Sequence, residues 1–169
     1  MKIALAVALI VLVSGLSFAQ DLSIEKDFEK NRAKLKLEKF SMGEDATSGY
    51  DYLIYTDKSK IVKIRSIWTS SAGPAPRVDD YYFRDGNLIL YVKMPARKSQ
   101  SKALIKGSNL PLVAEEKLYL KDSKLTTWIE KGKTIPNTDA RWQNKEKEVL
   151  EMAKAELDNY QFLKEENKR

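Results

Sequence analysis

The chain has 169 residues, of which 30 are basic and 24 acidic, and it contains no cysteine and no histidine. These absences exclude a disulfide, a thiolate nucleophile, a Ser-His-Asp triad and a zinc site built from sulfur or imidazole ligands. The net charge of +6 is modest, and lysines alternate with acidic residues along most of the chain, so we do not expect a nucleic-acid-binding protein.

The N-terminus has the pattern of a signal peptide. Lys2 precedes an apolar run from Ile3 to Val13, and Ser17-Phe18-Ala19 supplies the small-x-small pattern of a cleavage site. A membrane-spanning helix needs about 20 apolar residues, so cleavage is favoured over an uncleaved anchor. We expect residues 1–19 to be removed, which leaves one domain over residues 20–169, periplasmic or secreted, starting at Gln20 and without a membrane span.

The start of this domain has helical spacing. Ile24, Phe28 and Leu35 predict a helix from Asp21 to about Ala33, although Leu35 and Leu37 fit the start of a first strand as well.

A repeat in the middle of the chain predicts β-hairpins. Asp79 to Val92 aligns without a gap with Glu116 to Ile129, and a looser copy runs from Asp51 to Ile64. Asp85-Gly86 favours a two-residue turn with positive φ at both positions, and Asp122-Ser123 is a weaker form of it. We therefore expect three hairpins in series.

Direct closure of these turns predicts the pairing of side chains across the sheet. The expected pairs are Phe83 with Leu88, Tyr81 with Leu90, Asp79 with Val92, Leu120 with Leu125, and Leu118 with Thr127. These alternate positions of each strand contain most of the apolar residues, so they are expected to form a core face. The opposite face collects Tyr82, Tyr91, Tyr119, Trp128 and Lys117, which we predict to bind a ligand.

Two interpretations of this aromatic face remain open. Rings with polar edges suit a sugar, a peptide or a lipid head group. They suit packing beneath a helix equally well, and the C-terminal segment supplies one, because Val149, Ala153, Leu157 and Tyr160 recur at helical spacing between Asn144 and Lys164. We expect this helix to cover the aromatic face in part.

The segments between and after the hairpins read as loops. Met94 to Pro111 is basic and predicts a loop with a short strand at Ala103 to Ile105. Lys131-Gly132-Lys133 and then Pro136-Asn137 predict the exit from the sheet. The fold class is therefore α+β: a curved antiparallel sheet of six to eight strands in serial hairpins, with an N-terminal helix and an amphipathic C-terminal helix.

Paired carboxylates are the main candidates for chemistry. Asp79-Asp80 and Glu115-Glu116 are adjacent, and neighbouring residues of a strand point to opposite faces. Asp51, Asp79 and Glu116 could share one face, although such residues more often pair with basic groups, as Asp51 would with Arg65 across the first hairpin. We predict no catalytic residue, no metal site and no cofactor.

The two aligned stretches resemble parts of small secreted bacterial proteins of unassigned function. These proteins tend to have an acidic strand start, an aromatic pair, a turn like Asp-Gly-Lys-Leu and a C-terminal helix. Asp122-Ser123 departs from this pattern. The resemblance implies location and architecture, with no catalytic residues to transfer.

These patterns predict an exported, non-catalytic binding or interaction protein of the bacterial envelope or extracellular space. The aromatic face and the basic loop would contact an envelope protein, a glycan or another anionic envelope component. The alternative is a hydrolase or lyase of the envelope that works through carboxylates alone, which would need two of the acidic residues to converge in a pocket.

Overall fold

The computed structural model describes residues 23–43, 48–70, 75–108 and 110–167. The predicted signal peptide lies outside the described residues. The described residues divide into two compact units, with the boundary between Leu35 and Lys36. In the first, helix α1 spans Ser23–Asn31 and a 3₁₀ turn follows at Arg32–Lys34, which confirms the predicted N-terminal helix.

The second unit is an open antiparallel sheet of eight strands in chain order. Each strand pairs with the next along the chain. The α+β prediction of serial hairpins is confirmed. The strands are β1 (Lys36–Gly43), β2 (Ser48–Asp57), β3 (Lys60–Ser70), β4 (Arg77–Arg84), β5 (Asn87–Pro95), β6 (Glu116–Lys121), β7 (Lys124–Glu130) and β8 (Lys133–Ile135).

Four two-residue turns connect strands in the described ranges, and all of their residues have positive φ. Such turns match the right-handed twist of the strands that they join. The three predicted turns are confirmed. Lys131-Gly132 proves to be a fourth turn into β8, and the chain leaves the sheet only after Ile135, at the predicted Pro136-Asn137. The turn residues are Lys58-Ser59, Asp85-Gly86, Asp122-Ser123 and Lys131-Gly132.

A one-residue bulge follows each of the first three turns. The register shifts after Ile61, Leu88 and Leu125, each the second residue of its strand. Val62, Ile89 and Thr126 are therefore the extra residues in β3, β5 and β7. Because side chains alternate along a strand, one extra residue moves every later side chain to the other face.

The bulges make three of the predicted side-chain pairs wrong. Phe83 pairs with Leu88 and Leu120 with Leu125, as expected. Beyond the bulges the pairs are instead Tyr81 with Tyr91, Asp79 with Lys93 and Leu118 with Trp128.

Helix α3, Trp142–Glu166, covers one face of the sheet, which we call the helix face. Its buried residues Val149, Ala153, Tyr160 and Leu163 pack with Tyr81 and other side chains of that face in one core cluster. The predicted C-terminal helix is confirmed, with the stripe facing inward as its spacing indicates. We call the opposite side of the sheet the far face.

A short helix, α2, spans Ser101–Ile105 after a 3₁₀ turn at Lys98–Gln100. The predicted strand at Ala103 to Ile105 is therefore wrong. Gly107 ends α2 with a φ of +83°, and Ser108 N–H donates to the Ala103 carbonyl at 2.9 Å. This is the Schellman motif, which closes a helix and so excludes an extended strand. Within the described ranges, no helix is both long and apolar enough to cross a membrane.

The turns predict opposite effects for two substitutions. Gly86→Ala should lower the free energy of unfolding by about 1 kcal/mol, because φ is +82° and a β-carbon there meets no atom within 4 Å, so only backbone strain changes. Ser123→Gly occupies the equivalent position at φ 59° and should raise stability. Urea denaturation measures both, and equal effects of the same sign would contradict the turn geometry.

Candidate functional site

The structure does not bring the five predicted ligand-binding residues onto one face. Because of the bulges, Tyr91 and Trp128 lie on the helix face, while Tyr82, Tyr119 and Lys117 lie on the far face. All four rings are buried, and Trp128 is only 1% exposed. The prediction of a shared aromatic face is therefore wrong.

On the helix face, the two predicted rings hold the sheet and α3 together. Tyr91 Oη donates to Asp79 Oδ1 at 2.7 Å, and its ring centre lies 5.2 Å from that of Tyr81. The ring of Trp128 lies 6.3 Å from Trp142, with the Arg141 guanidinium 4.7 Å from its centre. Helix α3 covers Tyr91 and Trp128, which agrees with the interpretation that the rings pack beneath a helix.

The far face contains a buried ionic cluster. Asp80 accepts Arg65 Nε at 2.6 Å on Oδ1 and Arg65 Nη2 at 2.7 Å on Oδ2. Lys63 Nζ lies 2.7 Å from Asp80 Oδ2 and donates to Tyr82 Oη at 2.9 Å. Burial alone would raise the pKa of Asp80, but the charges of Lys63 and Arg65 and their hydrogen bonds outweigh it and lower that pKa.

The sequence pattern did not predict this cluster, because it paired Arg65 with Asp51. Arg65 instead lies directly opposite Asp80 on β4, while Asp51 accepts the Ser41 hydroxyl at 2.6 Å. The alternation Lys63-x-Arg65 in an apolar strand was the available signal, because cations in a buried strand need a carboxylate on the neighbouring strand.

A second polar group lies beneath α3 on the helix face. Asp79 accepts Tyr91 and also Arg77 Nε, at 2.6 Å, and burial nevertheless raises its pKa. Burial also raises the pKa of Glu156 on α3, against the opposing influence of Asn159, Ser66 and Tyr52. Its Oε2 is buried without a hydrogen-bond partner in the part of the chain that the structure describes.

The carboxylates proposed for catalysis are distributed over separate contacts. Asp79 and Asp80 point to opposite faces, as the sequence indicates. Glu116 lies 3.4 Å from Lys145 Nζ, and Glu115 lies 3.5 Å from Lys93 Nζ. Among the described residues, no group of three metal-ligating side chains could hold a metal ion.

Residues 96–108 and 110–114, which we call the basic segment, cross the far face and return. Ala96 and Leu104 are buried, and α2 contacts β2 and β3. The segment reaches β1 at Lys106 and Gly107, which we call its outer end. There, Lys39 Nζ donates to the Lys106 carbonyl at 2.9 Å. The segment rejoins the sheet where Glu115 N–H donates to the Lys93 carbonyl at 2.8 Å. It is thus a packed element of the second unit.

The solvent side of the basic segment carries exposed cations. Arg97, Lys98, Lys102 and Lys106 are exposed, Lys39 lies exposed beside Lys106, and the segment contains no acidic residue. Arg97, Lys102 and Lys106 form no ion pair with a carboxylate of the described ranges. The arrangement can attract an anion, because unneutralised cations sum to a positive surface potential.

A shallow cleft of about 250 Å³ lies between the first two turns and α3. Its lining includes Ile61, Phe83 and Leu157, and none of the predicted site residues. An exposed pair, Lys60 Nζ to Asp85 Oδ1 at 2.9 Å, joins the two turns beside it.

The chain was compared with models of known protein families, with curated proteins and with solved structures. None of the three comparisons yields a match. A function for this chain therefore has to be inferred from its own geometry and chemistry.

The ionic cluster predicts a large loss of stability for Asp80→Asn. The change leaves two buried cations facing each other without a carboxylate, which costs about 3–5 kcal/mol of unfolding free energy. Asp85→Asn is the matched control, because it breaks the exposed pair with Lys60 and asparagine tolerates positive φ. Urea denaturation should show a lower midpoint for the first variant only. Equal midpoints would contradict the buried cluster.

Glu156 predicts a pH-dependent stability difference. A carboxyl whose pKa is raised by folding destabilises the folded state once it ionises, so stability is lost as pH rises above the ordinary value of 4.5. Glu156→Gln removes this loss. Relative to the unmodified chain, the variant should gain stability as the pH rises above 4.5, measured by urea denaturation at each pH. A difference that does not change with pH would contradict the raised pKa.

Proposed function

We propose that this chain is an exported, non-catalytic binding protein of the bacterial envelope or extracellular space, and that an anionic partner binds its basic segment. The leader pattern from Lys2 to Ala19 supports export. The single observation that supports binding is the set of exposed cations on a packed segment that contains no acidic residue.

Packing matters to this proposal because it fixes the cations before the partner arrives. The buried Leu104, the Gly107 helix end and the bond from Lys39 to the Lys106 carbonyl hold the segment in place. Association with a preorganised surface loses less chain entropy than association with a flexible loop. Arg97, Lys102 and Lys106, which have no carboxylate partner among the described residues, also have no ion pair to break on binding.

The aromatic residues do not contribute to this proposal. Ligand binding by Tyr82, Tyr91, Tyr119, Trp128 and Lys117 stays a prediction, and the burial of the rings leaves them little surface to offer. The carboxylate-dependent hydrolase also stays an alternative prediction. The separation of Asp79 from Asp80 by the sheet speaks against it.

Charge reversal in the basic segment tests the proposal. The double variant Lys102→Glu/Lys106→Glu should bind inorganic polyphosphate at least about tenfold more weakly than the unmodified chain, since each cation near an anionic surface is worth about 1 kcal/mol. Fluorescence anisotropy with labelled polyphosphate measures the affinity. Binding of the unmodified chain should also weaken as salt is added.

The matched control is Lys121→Glu/Lys154→Glu, which changes the net charge equally at exposed positions outside the segment. Its affinity should stay close to that of the unmodified chain. Equal losses in the two double variants would show attraction by net charge alone and would overturn the proposed site. Absence of polyphosphate binding by the unmodified chain would overturn it as well.

A further inference from the structure

Exposed apolar side chains accompany the cations of the basic segment. In the described ranges, the large hydrophobic residues that are exposed are Val113 at 82%, Phe162 at 57% and Leu37 at 37%. Val113 belongs to the returning part of the basic segment. Leu37 lies on β1 against its outer end, since a β-carbon built on Gly107 would lie 3.8 Å from Leu37 Cδ2.

Two cations lie beside Leu37. The same β-carbon would lie 4.0 Å from Lys39 Nζ, and Lys39 in turn holds the Lys106 carbonyl. The outer end of the segment therefore presents Leu37 together with Lys39 and Lys106. The returning part presents Val113 two residues after Pro111, which is also exposed.

A bilayer surface matches this combination of groups. Phosphate head groups attract lysine and arginine, and the boundary between head groups and acyl chains accepts apolar side chains a few ångströms deep. A soluble polyanion would use the cations alone and would leave Val113 in water.

We infer that the anionic partner of the basic segment is the surface of a lipid bilayer that contains anionic phospholipid. This inference rests on the proposed function and specifies its partner. Arg97, Lys98, Lys102 and Lys106 would contact the phosphates, and Val113 and Leu37 would enter the head-group boundary. The chain would lie on the bilayer without crossing it.

Vesicle flotation tests the inference with the chain from which the predicted signal peptide, residues 1–19, has been removed. One set of vesicles contains phosphatidylcholine and phosphatidylglycerol in equal amounts, and the other contains phosphatidylcholine alone. We expect the chain to float with the anionic vesicles and to remain unbound with the neutral ones. Lys102→Glu/Lys106→Glu should abolish flotation.

Val113→Ser separates a bilayer from a soluble polyanion. Loss of the valine side chain that would be buried in the bilayer should weaken vesicle binding by about tenfold, while polyphosphate binding stays unchanged. Phe162→Ser is the matched control, because it removes an exposed apolar side chain on α3, and it should have no effect on either probe. The far-ultraviolet circular dichroism spectrum confirms that each variant is folded.

Four outcomes overturn the inference. Polyphosphate binding without vesicle binding would leave the proposed function intact and exclude the bilayer. An unchanged vesicle affinity in Val113→Ser, or an equal loss in Phe162→Ser, would show that Val113 does not enter the bilayer. Absence of binding to both probes would overturn the proposed function together with the inference.

Discussion

The position of one unpaired residue after each of the first three turns determines what both faces of the sheet contain. Had Ile89 been paired, Tyr91 would lie on the far face and Leu90 beneath α3. With the bulge, Tyr91 lies beside Tyr81 and bonds to Asp79, and Leu90 is buried on the far face. The same shift places Trp128 opposite Leu118, where α3 covers it. The core, the ionic cluster and the placement of the aromatic residues all depend on this register.

Both faces of the sheet bury charge, and the two arrangements differ in their consequences. On the far face, Lys63 and Arg65 surround Asp80, so its carboxylate stays ionised and binds β3 to β4. On the helix face, burial favours the neutral forms of Asp79 and Glu156. The far-face cluster therefore stabilises the fold when Asp80 is charged, while the helix-face acids stabilise it best when protonated.

Local chemistry made much of the fold predictable from the sequence. Asp85-Gly86 specifies its turn through backbone conformation, and the spacing of Val149, Ala153 and Tyr160 specifies the inward side of α3. The bulges were not predictable in this way, because Ile89 and Thr126 differ in chemistry and either residue would fit a regular strand. Packing of the sheet against the helix selects the shifted register, and a short stretch of sequence does not indicate this packing.

The candidate site shows the same division. The absence of acidic residues from the basic segment is visible in the sequence, and so is its positive charge. Its shape is not, because α2 ends through a backbone motif at Gly107 and is held by a contact with Lys39 far away in the chain. The prediction that the four rings share one face was wrong because it depended on the pairing register, whereas the positive charge of the basic segment depends only on composition.

The order of elements along the chain has a consequence for the export that we propose. Each strand pairs with its sequence neighbour, so the hairpins can form one after another as the chain emerges. Helix α3 comes after all of them, yet it supplies Val149, Ala153, Tyr160 and Leu163 to the core. Without this last helix, the sheet exposes the apolar side chains of its helix face to water and is unstable. During translocation from the N-terminal end, the core would therefore stay incomplete, and the fold would become stable only after α3 had crossed the membrane.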